Sequence, residues 1–277
     1  MLKRFLQKLL HQIGLYERLK VSCVYDAYWT MADKGIIDAR SREIEFYRKL
    51  FLGYKAGDLI FDVGANHGRK TQIFLSLGAR VVAVEPDDYN QHVLRRKFLS
   101  YRFVKKPVVI VGKAVSDQTT VETMWVNQPG SAMNTLSKKW AASLQTDSRR
   151  FGHPLEFAVQ KEIQTITIED LIASYGAPFF IKIDVEGYEP QALRGLQRAV
   201  PLLSFEVNLP EFRAEGLECI QRLGRLSAKG VFNYIVNCQE GLRLEAWRSE
   251  RDFLPVFAAC EETSIEVFWR SDQSQSP

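Results

Sequence analysis

The chain has 277 residues, 46% of them hydrophobic and 25% charged, a composition that excludes both a disordered polyelectrolyte and a bundle of membrane-spanning helices. Its formal net charge of +4 arises in the first 20 residues, which contain five Lys and Arg side chains and one Glu. The rest of the chain carries 32 charges of each sign, so its folded body lacks the basic excess that is typical of nucleic-acid binding.

The first 20 residues predict a basic amphipathic helix. Apolar side chains recur there at helical spacing, and basic side chains occupy another face. Such a helix either lies on a membrane surface or packs on its own domain or on a dimer partner. A second helix is predicted over Asp38–Leu52, so residues 1–55 are interpreted as an N-terminal helical extension. The oligomeric state stays open.

The sequence contains no pattern typical of secretion or of metal binding. No apolar run at the N-terminus leads to a small-residue cleavage site. The cysteines lack the spacing of a zinc site or a disulfide framework; they are Cys23, Cys219, Cys238 and Cys260. We therefore expect a cytoplasmic protein, with peripheral contact to the inner membrane surface only through residues 1–20.

From Leu59 onward, short apolar runs alternate with helical stretches. Strands that are apolar on both faces and alternate with helices predict a parallel sheet covered on both sides, which is a doubly wound α/β fold. The predicted strands are Leu59–Val63, Arg80–Val84, Val108–Val111, Phe179–Ile183, Leu203–Val207, Phe232–Val236 and Ser264–Trp269. Helices are predicted between most of them, at about 70–77, 88–99, 166–175, 189–198 and 212–228.

One segment of the main domain, residues 118–165, interrupts this alternation. It is polar and too long for a simple crossover, so it is interpreted as an insertion or lid with a short hairpin around Val121–Val126. We expect this insertion to determine the choice of substrate. The main domain then covers residues 56–270, and residues 271–277 are predicted to form a disordered polar tail.

The first predicted strand leads into a glycine-containing loop, FDVGANHG at residues 61–68. Gly64 and Gly68 allow a tight turn and bring backbone N–H groups close to a ligand. The dinucleotide pattern G-x-G-x-x-G is not met, since Asn66 stands where a glycine is expected and Asp62 precedes the loop. An acid at that point repels a pyrophosphate but suits a cationic ligand, such as the methionyl end of S-adenosylmethionine.

The ends of the next two strands supply further candidate contacts. Glu85 follows Gly64 by 21 residues, at the tip of the second strand, where a carboxylate can accept both hydroxyl protons of a ribose. The third strand is followed by Ala114-Val115-Ser116-Asp117. Asp117 either contacts an adenine edge or caps a turn, and the sequence leaves both readings open.

Three charges lie on one predicted strand and its end, in FIKIDVEG at residues 180–187. Strand alternation would place Lys182, Asp184 and Glu186 on one face. Unpaired buried charges cost several kcal/mol, so these groups are expected to pair or to serve a ligand. Glu206 on the next strand offers a fourth charge at a similar height. The cluster is interpreted as catalytic, with a purely structural ion-pair network as the alternative.

Other polar residues carry weaker predictions. His67 in the glycine loop and His153 in the insertion could each act as a base, or could serve only a helix start or a loop. Four basic residues of the insertion are interpreted as a solvated face, with recognition of an acidic or phosphorylated acceptor as the alternative; they are Lys138, Lys139, Arg149 and Arg150.

Taken together, these segments resemble the FkbM-type family of S-adenosylmethionine-dependent methyltransferases. The resemblance covers about residues 57–210 and depends on six segments in order: FDVGANHGRKT (61–71), VVAVEP (81–86), KAVSD (113–117), TITIEDLI (165–172), FIKIDVEGYEPQALRG (180–195) and FEVN (205–208). It implies a class I methyltransferase (Rossmann-like) fold, a seven-stranded doubly wound sheet whose last strand is antiparallel. It also implies O-methylation of a hydroxyl, commonly on sugars or polyketides.

The resemblance also implies roles for individual residues. The first loop and Glu85 bind the cofactor, the segment 113–117 neighbours the adenine, and the segment 182–187 neighbours the methyl-transfer centre. The predicted cofactor site comprises Asp62, Gly64, Ala65, Asn66, Gly68, Thr71, Glu85, Pro86, Ala114, Val115, Asp117 and Asp184. No metal ligand is predicted.

The predicted activity is O-methylation of a sugar, glycolipid or natural-product hydroxyl, with a small molecule or glycan as the partner. In this hypothesis Asp184 removes the hydroxyl proton, and Lys182 and Glu206 set its charge and position. Two alternatives remain: an NAD-dependent sugar-nucleotide oxidoreductase or epimerase, which the missing glycine and Asp62 disfavour, and a non-catalytic membrane-associated module on the same fold. Retention of both Asp62 and Glu85 disfavours the second alternative.

Overall fold

The protein is described by a computed structural model that covers residues 34–103, 107–148 and 150–271. The amphipathic helix predicted over residues 1–20 lies outside the described residues, as do residues 272–277 of the predicted tail. Ser271 is an exception to the predicted disorder: it is buried, and its backbone N–H donates to the carbonyl oxygen of Pro201 over 3.2 Å. Among the described helices, none has the length and apolarity required to cross a bilayer.

Helices and strands alternate through most of the described chain. The first half contains α1 (Lys34–Leu50), β1 (Leu59–Val63), α2 (Arg69–Ser76), β2 (Arg80–Val84), α3 (Asp88–Lys97), α4 (Leu99–Phe103), β3 (Val108–Val111), β4 (Ala114–Val115), β5 (Val121–Val126) and α5 (Lys138–Thr146). The second half contains β6 (Val159–Ile166), α6 (Ile168–Tyr175), β7 (Phe180–Ile183), α7 (Glu189–Arg194), β8 (Leu202–Asn208), α8 (Arg213–Leu226), β9 (Val231–Ile235), β10 (Arg248–Ser249), α9 (Glu250–Ala258) and β11 (Ser264–Arg270).

The main sheet has the strand order β10-β9-β11-β8-β7-β1-β2-β3. Its central pairs, from β3 to β8, are parallel, whereas β11 is antiparallel to both β8 and β9. This is the doubly wound class I methyltransferase sheet with an antiparallel last strand, as predicted. It contains one more strand than predicted, because β10 has only two residues and is too short to show a periodic pattern.

The chain leaves β1 toward β2 and β3 on one side, and β7 and β8 lie on the other side. The strand order therefore reverses between β1 and β7. In open α/β sheets the ligand crevice lies outside the carboxyl ends of the strands at such a point. The carboxyl ends of these two strands are Val63 and Ile183, so the residues that follow them are the first candidates for a site.

The core extends over both faces of the sheet, and α1 belongs to it. Tyr47 of α1 is fully buried, and its ring packs edge-on against Phe74 with centroids 5.1 Å apart. Phe51 packs against Phe180 of β7 at 5.1 Å. Burying one such side chain stabilises the fold by about 1.5–3 kcal/mol. The boundary predicted at residue 55 thus separates residues that share one core.

The insertion forms a second, three-stranded sheet in the order β4-β6-β5. The short hairpin predicted around Val121–Val126 is reduced to a single antiparallel bridge between Trp125 and Thr135, and β5 pairs along its length with β6, with Val126 opposite Val159. The chain passes through α5 between β5 and β6. Trp140 of α5 is buried in the main core, so the insertion is fixed to the sheet rather than projecting from it.

Candidate active site

The loop between β1 and α2 approaches the end of β7 very closely. Gly64 has φ 80°, and a Cβ built on it would lie 1.7 Å from the carbonyl oxygen of Asp184. No other residue fits there, because L side chains disfavour this φ and the space is filled by backbone. The next residue but one, Asn66, also adopts a left-handed conformation, with φ 46°. The loop is therefore a tight cradle between two strand ends.

Asp62 lies beneath this cradle and is 1% exposed. Its Oδ2 accepts a hydrogen bond from the Thr71 hydroxyl over 2.5 Å, whereas Oδ1 has no hydrogen-bond partner among the described residues. Burial raises the pKa of Asp62, and the opposing effects of Lys182 and the Thr71 hydroxyl are weaker. A buried carboxylate with a free oxygen suits a cationic or hydrogen-bond-donating ligand.

Two predicted cofactor residues of this loop serve packing instead of lining a cavity. Thr71 is fully buried and holds Asp62 in place. A Cβ at Gly68 would lie 2.6 Å from atoms of Leu94 and Phe98, so this glycine allows α3 to pack against the start of α2. Both residues therefore shape the loop from behind.

Glu85, at the end of β2, connects the glycine loop to the following turn. Its Oε2 accepts the N–H of Asn66 over 2.7 Å, and its Oε1 accepts the N–H of Asp87 over 2.9 Å. Burial raises the pKa of Glu85 to about 7, against the lowering effect of these N–H groups. Oε1 also accepts from the Asn90 side-chain amide over 3.4 Å, so Oε2 keeps the lone pair with which Glu85 can accept a hydrogen bond from a diol.

A first cavity opens beside Glu85, between the main sheet and the insertion. It brings together most of the predicted cofactor residues: Gly64, Asn66, Glu85, Pro86, Ala114, Val115 and Asp184. Lys113, from the segment that the resemblance places beside the adenine, also lines it. The sequence analysis missed the other residues that close it: Asn90, Tyr188, and from the insertion Met124, Ser131, Ala132, Asn134, Thr135 and Leu136. Asp117 lies outside the lining of this cavity, on the surface, where its Oδ1 accepts from the Ser116 hydroxyl over 3.3 Å.

A second cavity, of about 690 Å³, lies on the other side of the cradle. Its lining includes Asp62, Gly64, Ala65, Asn66, Lys182, Asp184 and Glu206, together with residues of α1, of the loop after β9 and of β11. The first and second cavities share Gly64, Asn66, Ala132 and Asp184. Asp184 therefore stands where the two cavities meet.

The predicted charged cluster is formed. The ammonium of Lys182 donates to Oδ2 of Asp184 over 2.7 Å, and the Lys182 side chain is almost completely buried. Burial alone would raise the pKa of Asp184, but Lys182 holds it below its usual range. Burial and the adjacent Asp184 raise the pKa of Glu206 well above its usual range. Asp184, whose pKa is lowered, thus faces the Lys182 ammonium and, in Glu206, a carboxyl group whose pKa is raised.

Glu186 is a site residue whose place was not predicted. The strand ends at Ile183, so strand alternation does not extend to Glu186, which has the left-handed φ of 54°. Its Oε2 accepts the indole N–H of Trp140 over 2.9 Å, and its carbonyl oxygen accepts the Thr135 hydroxyl over 2.7 Å. Burial, with the nearby Asp184, raises the pKa of Glu186 to about 8.

Carboxylate oxygens of Asp184, Glu186 and Glu206 lie within 4.8 Å of one another. Three acids at this spacing could share one cation, and Lys182 already provides a positive charge beside Asp184. The raised pKa values of Glu186 and Glu206 reflect the same crowding, because like charges in one buried site disfavour joint ionisation.

The histidines and the basic residues of the insertion lie at the periphery. His67 is exposed at the rim of the second cavity, while His153 is on an exposed loop and lines neither cavity. The predicted solvated basic face is incorrect for Arg150, which is largely buried and contacts Oε2 of Glu211 over 2.7 Å. Its guanidinium also donates to the carbonyl oxygen of Leu209, because the loop after β8 folds over it.

Comparison with known protein families gives one decisive match. A model described as "Methyltransferase FkbM domain" matches residues 62–229, which is more than half of the chain. The chain belongs to the FkbM methyltransferase family. The match begins at Asp62 and includes the carboxyl groups that line the first cavity, Glu85, Asp184 and Glu186. S-adenosylmethionine is accordingly the methyl donor of this FkbM methyltransferase. None of the curated proteins matches the chain.

Solved methyltransferase structures resemble it only at the level of the fold. The precorrin-6y C5,15-methyltransferase of Geobacter metallireducens is 9% identical, with a TM-score of 0.38, and the similarity covers 84% of this chain and 87% of that one. The SAM-dependent O-methyltransferase of Thermotoga maritima is 11% identical, with a TM-score of 0.39, over 81% and 63%. The Bacillus cereus O-methyltransferase solved with SAH is 12% identical, with a TM-score of 0.37, over 83% and 81%.

The residues present fit S-adenosylmethionine. The free Oδ1 of buried Asp62 suits the ammonium group of the methionyl end, and Glu85 suits the ribose hydroxyls. Gly64 lets the loop pack against the Asp184 carbonyl, where any Cβ would intrude, and so keeps the cofactor residues of the two strand ends together. The nucleoside part would then be held by the first cavity and the methionyl part by the adjoining portion of the second.

Proposed function

We propose that this protein is an O-methyltransferase that transfers the methyl group of S-adenosylmethionine to a hydroxyl of a sugar, glycolipid or natural-product acceptor. The observation that carries the proposal is the position of Asp184, an ionised carboxylate that lines both cavities and is paired with Lys182. A donor held in one cavity and an acceptor held in the other would meet at this carboxylate.

In the proposed mechanism the cofactor supplies an electrophilic methyl group on a positively charged sulfur. The chain's main task is alignment, because holding the reactants in a near-attack geometry can account for up to about 7–11 kcal/mol of the barrier. The rigid Gly64 cradle and the backbone-anchored Glu85 would provide that alignment.

Asp184 would accept the hydroxyl proton as the acceptor oxygen attacks. Its lowered pKa keeps Asp184 ionised, so that it can accept a proton. The attacking hydroxyl becomes more acidic as its oxygen forms the bond to the methyl group. Lys182 would fix the orientation of the carboxylate through its 2.7 Å contact. Protonated Glu206 would donate a hydrogen bond to Asp184 and keep a second negative charge away from it.

Two sequence-based alternatives can be weighed against these features. An NAD-dependent oxidoreductase needs a loop that accepts a pyrophosphate, and the buried acid at Asp62 opposes this. A non-catalytic module would not need the Lys182–Asp184 pair at the junction of two cavities. The three described free cysteines, at positions 219, 238 and 260, suit the proposed cytoplasmic location.

Calorimetric titration with S-adenosylmethionine, S-adenosylhomocysteine and NAD tests the donor. We expect the first two to bind and NAD to give no heat. Transfer of a labelled methyl group from the donor to fractionated cell extract then tests the acceptor. A label that is stable to alkali and travels with carbohydrate supports an ether on a sugar, whereas a label on protein or nucleic acid contradicts the proposal.

A further inference from the structure

The walls of the second cavity come from two different parts of the chain. Some of them belong to the region that matches the family, including Asp62, Lys70 and Asp184. The others lie outside that region: Ala39 and Glu43 of α1, the segment 235–239 after β9, and residues 264–266 of β11. The family match therefore covers the side of this cavity next to the predicted cofactor residues, and the opposite side lies outside the match.

The first cavity has a different enclosure. Its outer wall is formed by the insertion, through Met124 and the segment 131–136, and only Ala132 of these residues also reaches the second cavity. Trp140 holds the insertion there, because its side chain is buried in the main core and its indole N–H donates a hydrogen bond to Glu186. The insertion therefore encloses the predicted nucleoside side, and most of it lies away from the second cavity.

The charges that line the second cavity compensate one another. Glu43, although 3% exposed, contacts both the Lys70 ammonium and, over 2.9 Å, the Arg69 guanidinium. Burial would lower the pKa of Lys70, but Glu266 and Glu43 raise it above its usual range. Lys182 is paired with Asp184 in the same way.

The remaining carboxyl groups of this cavity are already accounted for. Glu206 accepts the Ser264 hydroxyl over 2.7 Å, and burial with the nearby Asp184 raises its pKa well above its usual range. Asp62 belongs to the cofactor side. The three cations, Arg69, Lys70 and Lys182, are thus already paired with Glu43 and Asp184, and an ionic ligand would have to break one of these pairs. A neutral ligand with several hydroxyls would instead exchange hydrogen bonds with the carboxylate oxygens and with the polar loop around Gln239.

We infer that the second cavity binds a neutral, hydroxyl-rich ring, such as an uncharged sugar residue, and that α1 and the segment 235–239 select it. The volume of about 690 Å³ is within the range of small-molecule sites. This inference rests on the proposed methyltransferase function and deepens it. It assigns acceptor choice to segments outside the family match, in place of the insertion at residues 118–165.

Saturation-transfer NMR on the full chain with saturating S-adenosylhomocysteine tests the inference. The probes are the methyl glycosides of glucose, mannose and rhamnose, with glucosamine and glucose 6-phosphate as charged counterparts. We expect transfer to at least one methyl glycoside and at least threefold weaker transfer to both charged sugars. Stronger transfer to a charged sugar, or transfer to none of the glycosides, overturns the assignment of a neutral sugar.

Two variants test the location. Ala39→Trp fills the cavity from α1, and Gln239→Trp fills it from the loop; Ser41→Trp, at an exposed position of α1 outside the cavity lining, is the matched control. We expect Ala39→Trp and Gln239→Trp to abolish the glycoside signal while S-adenosylhomocysteine affinity stays within about threefold, and Ser41→Trp to retain both. An undiminished signal in whichever filled variants fold by circular dichroism overturns the location.

The result also separates this inference from the proposed function. If the wild type fails to bind S-adenosylhomocysteine by calorimetry, the methyltransferase function itself is contradicted. If it binds S-adenosylhomocysteine but its glycoside signal survives in both filled variants, only the acceptor site is misplaced.

Discussion

The two cavities lie side by side at the carboxyl end of the sheet, but different kinds of groups line them. The first is formed by backbone and by buried groups fixed to backbone: Glu85 is held by two N–H groups, and Gly64 has no side chain. The second is lined by long charged side chains that neutralise one another, among them Glu43 and Lys70.

This difference follows from what each cavity has to recognise. A constant cofactor is best held by rigid loops at strand ends, where positions are set within the sheet. An acceptor that differs between relatives is better met by side chains on peripheral elements, which can change without disturbing the core. Asp184 stands at the boundary, and perturbing it should affect catalysis more than any other change.

The largest effect is expected for Asp184→Asn. The amide keeps the shape but cannot accept the hydroxyl proton, so turnover should fall by about 10²–10⁴-fold. Affinity for S-adenosylmethionine should remain within about fivefold, because the proposed cofactor contacts lie at Asp62, Gly64 and Glu85. Initial rates with labelled donor and calorimetry measure the two quantities separately.

The matched control for this variant is Glu218→Gln, an exposed carboxylate on α8 that pairs with Arg194. It removes one negative charge at a distance from both cavities and should leave turnover unchanged. Should Asp184→Asn instead abolish cofactor binding, Asp184 would be a cofactor ligand and not the proton acceptor.

The next effect tests the rigidity of the cradle. Gly64→Ala forces a Cβ to within 1.7 Å of the Asp184 carbonyl oxygen at a φ of 80°. We expect at least a tenfold loss of cofactor affinity and a loss of stability well above about 1 kcal/mol, measured by calorimetry and chemical unfolding. Gly53→Ala is the control, since Gly53 has a similar φ of 81° and nothing within 4 Å. Equal losses in both variants would mean that backbone strain alone, without the close approach, explains the result.

The cradle also shows how much of the site could be predicted from sequence. β1, β2 and β3 have the bounds that apolar runs predict, and the loop at residues 61–68 lies at the strand ends as expected. Local patterns suffice there, because the strand, the turn and the following helix are contiguous in the chain.

The second cavity could not be predicted in this way. Its hydrogen-bonded pairs, Glu43 with Lys70 and Glu206 with Ser264, are far apart in sequence, and nothing local links them. The same holds for Glu186, whose left-handed backbone breaks the strand alternation that had assigned its face. Long-range packing decided these positions, whereas a periodic pattern reports only on its own segment.

A smaller effect, on the stability of the protein, is expected when an ion pair of the second cavity is removed. Glu43→Gln leaves Lys70 and Arg69 without their buried carboxylate, so the free energy of unfolding at pH 7 should fall by about 1–3 kcal/mol. Because the pKa of Glu43 is lowered by folding, its stabilisation is present above the unfolded pKa of about 4.5 and disappears as the pH falls through the lower folded value.

Urea unfolding at pH 7 and at pH 3 measures this difference. Glu45→Gln is the control on the same helix, because Glu45 is half exposed and its surface pairs with Arg48 and Lys49 should contribute less than about 1 kcal/mol. If the two variants lose equal stability at pH 7, or if the loss in Glu43→Gln does not shrink in acid, the buried pairs do not carry the charge compensation inferred above.

The smallest effect tests the contact between Trp140 of the insertion and the Glu186 carboxylate. Because folding raises the pKa of Glu186 from 4.5 to about 8, this group favours the folded state at low pH and loses that contribution as the pH rises through 8. Folding also raises the pKa of Glu189 and of Glu206 nearby, so only the difference between wild type and Glu186→Gln isolates Glu186. We expect the stability of the wild type to fall more steeply between pH 5 and pH 8 than that of Glu186→Gln.

The emission of Trp140, assigned by subtracting a Trp140→Phe spectrum, should change over the same range only while Glu186 is present, since its carboxylate accepts the indole N–H. Parallel stability curves for the two proteins would show that Glu186 does not titrate there and that its contact with Trp140 is purely structural.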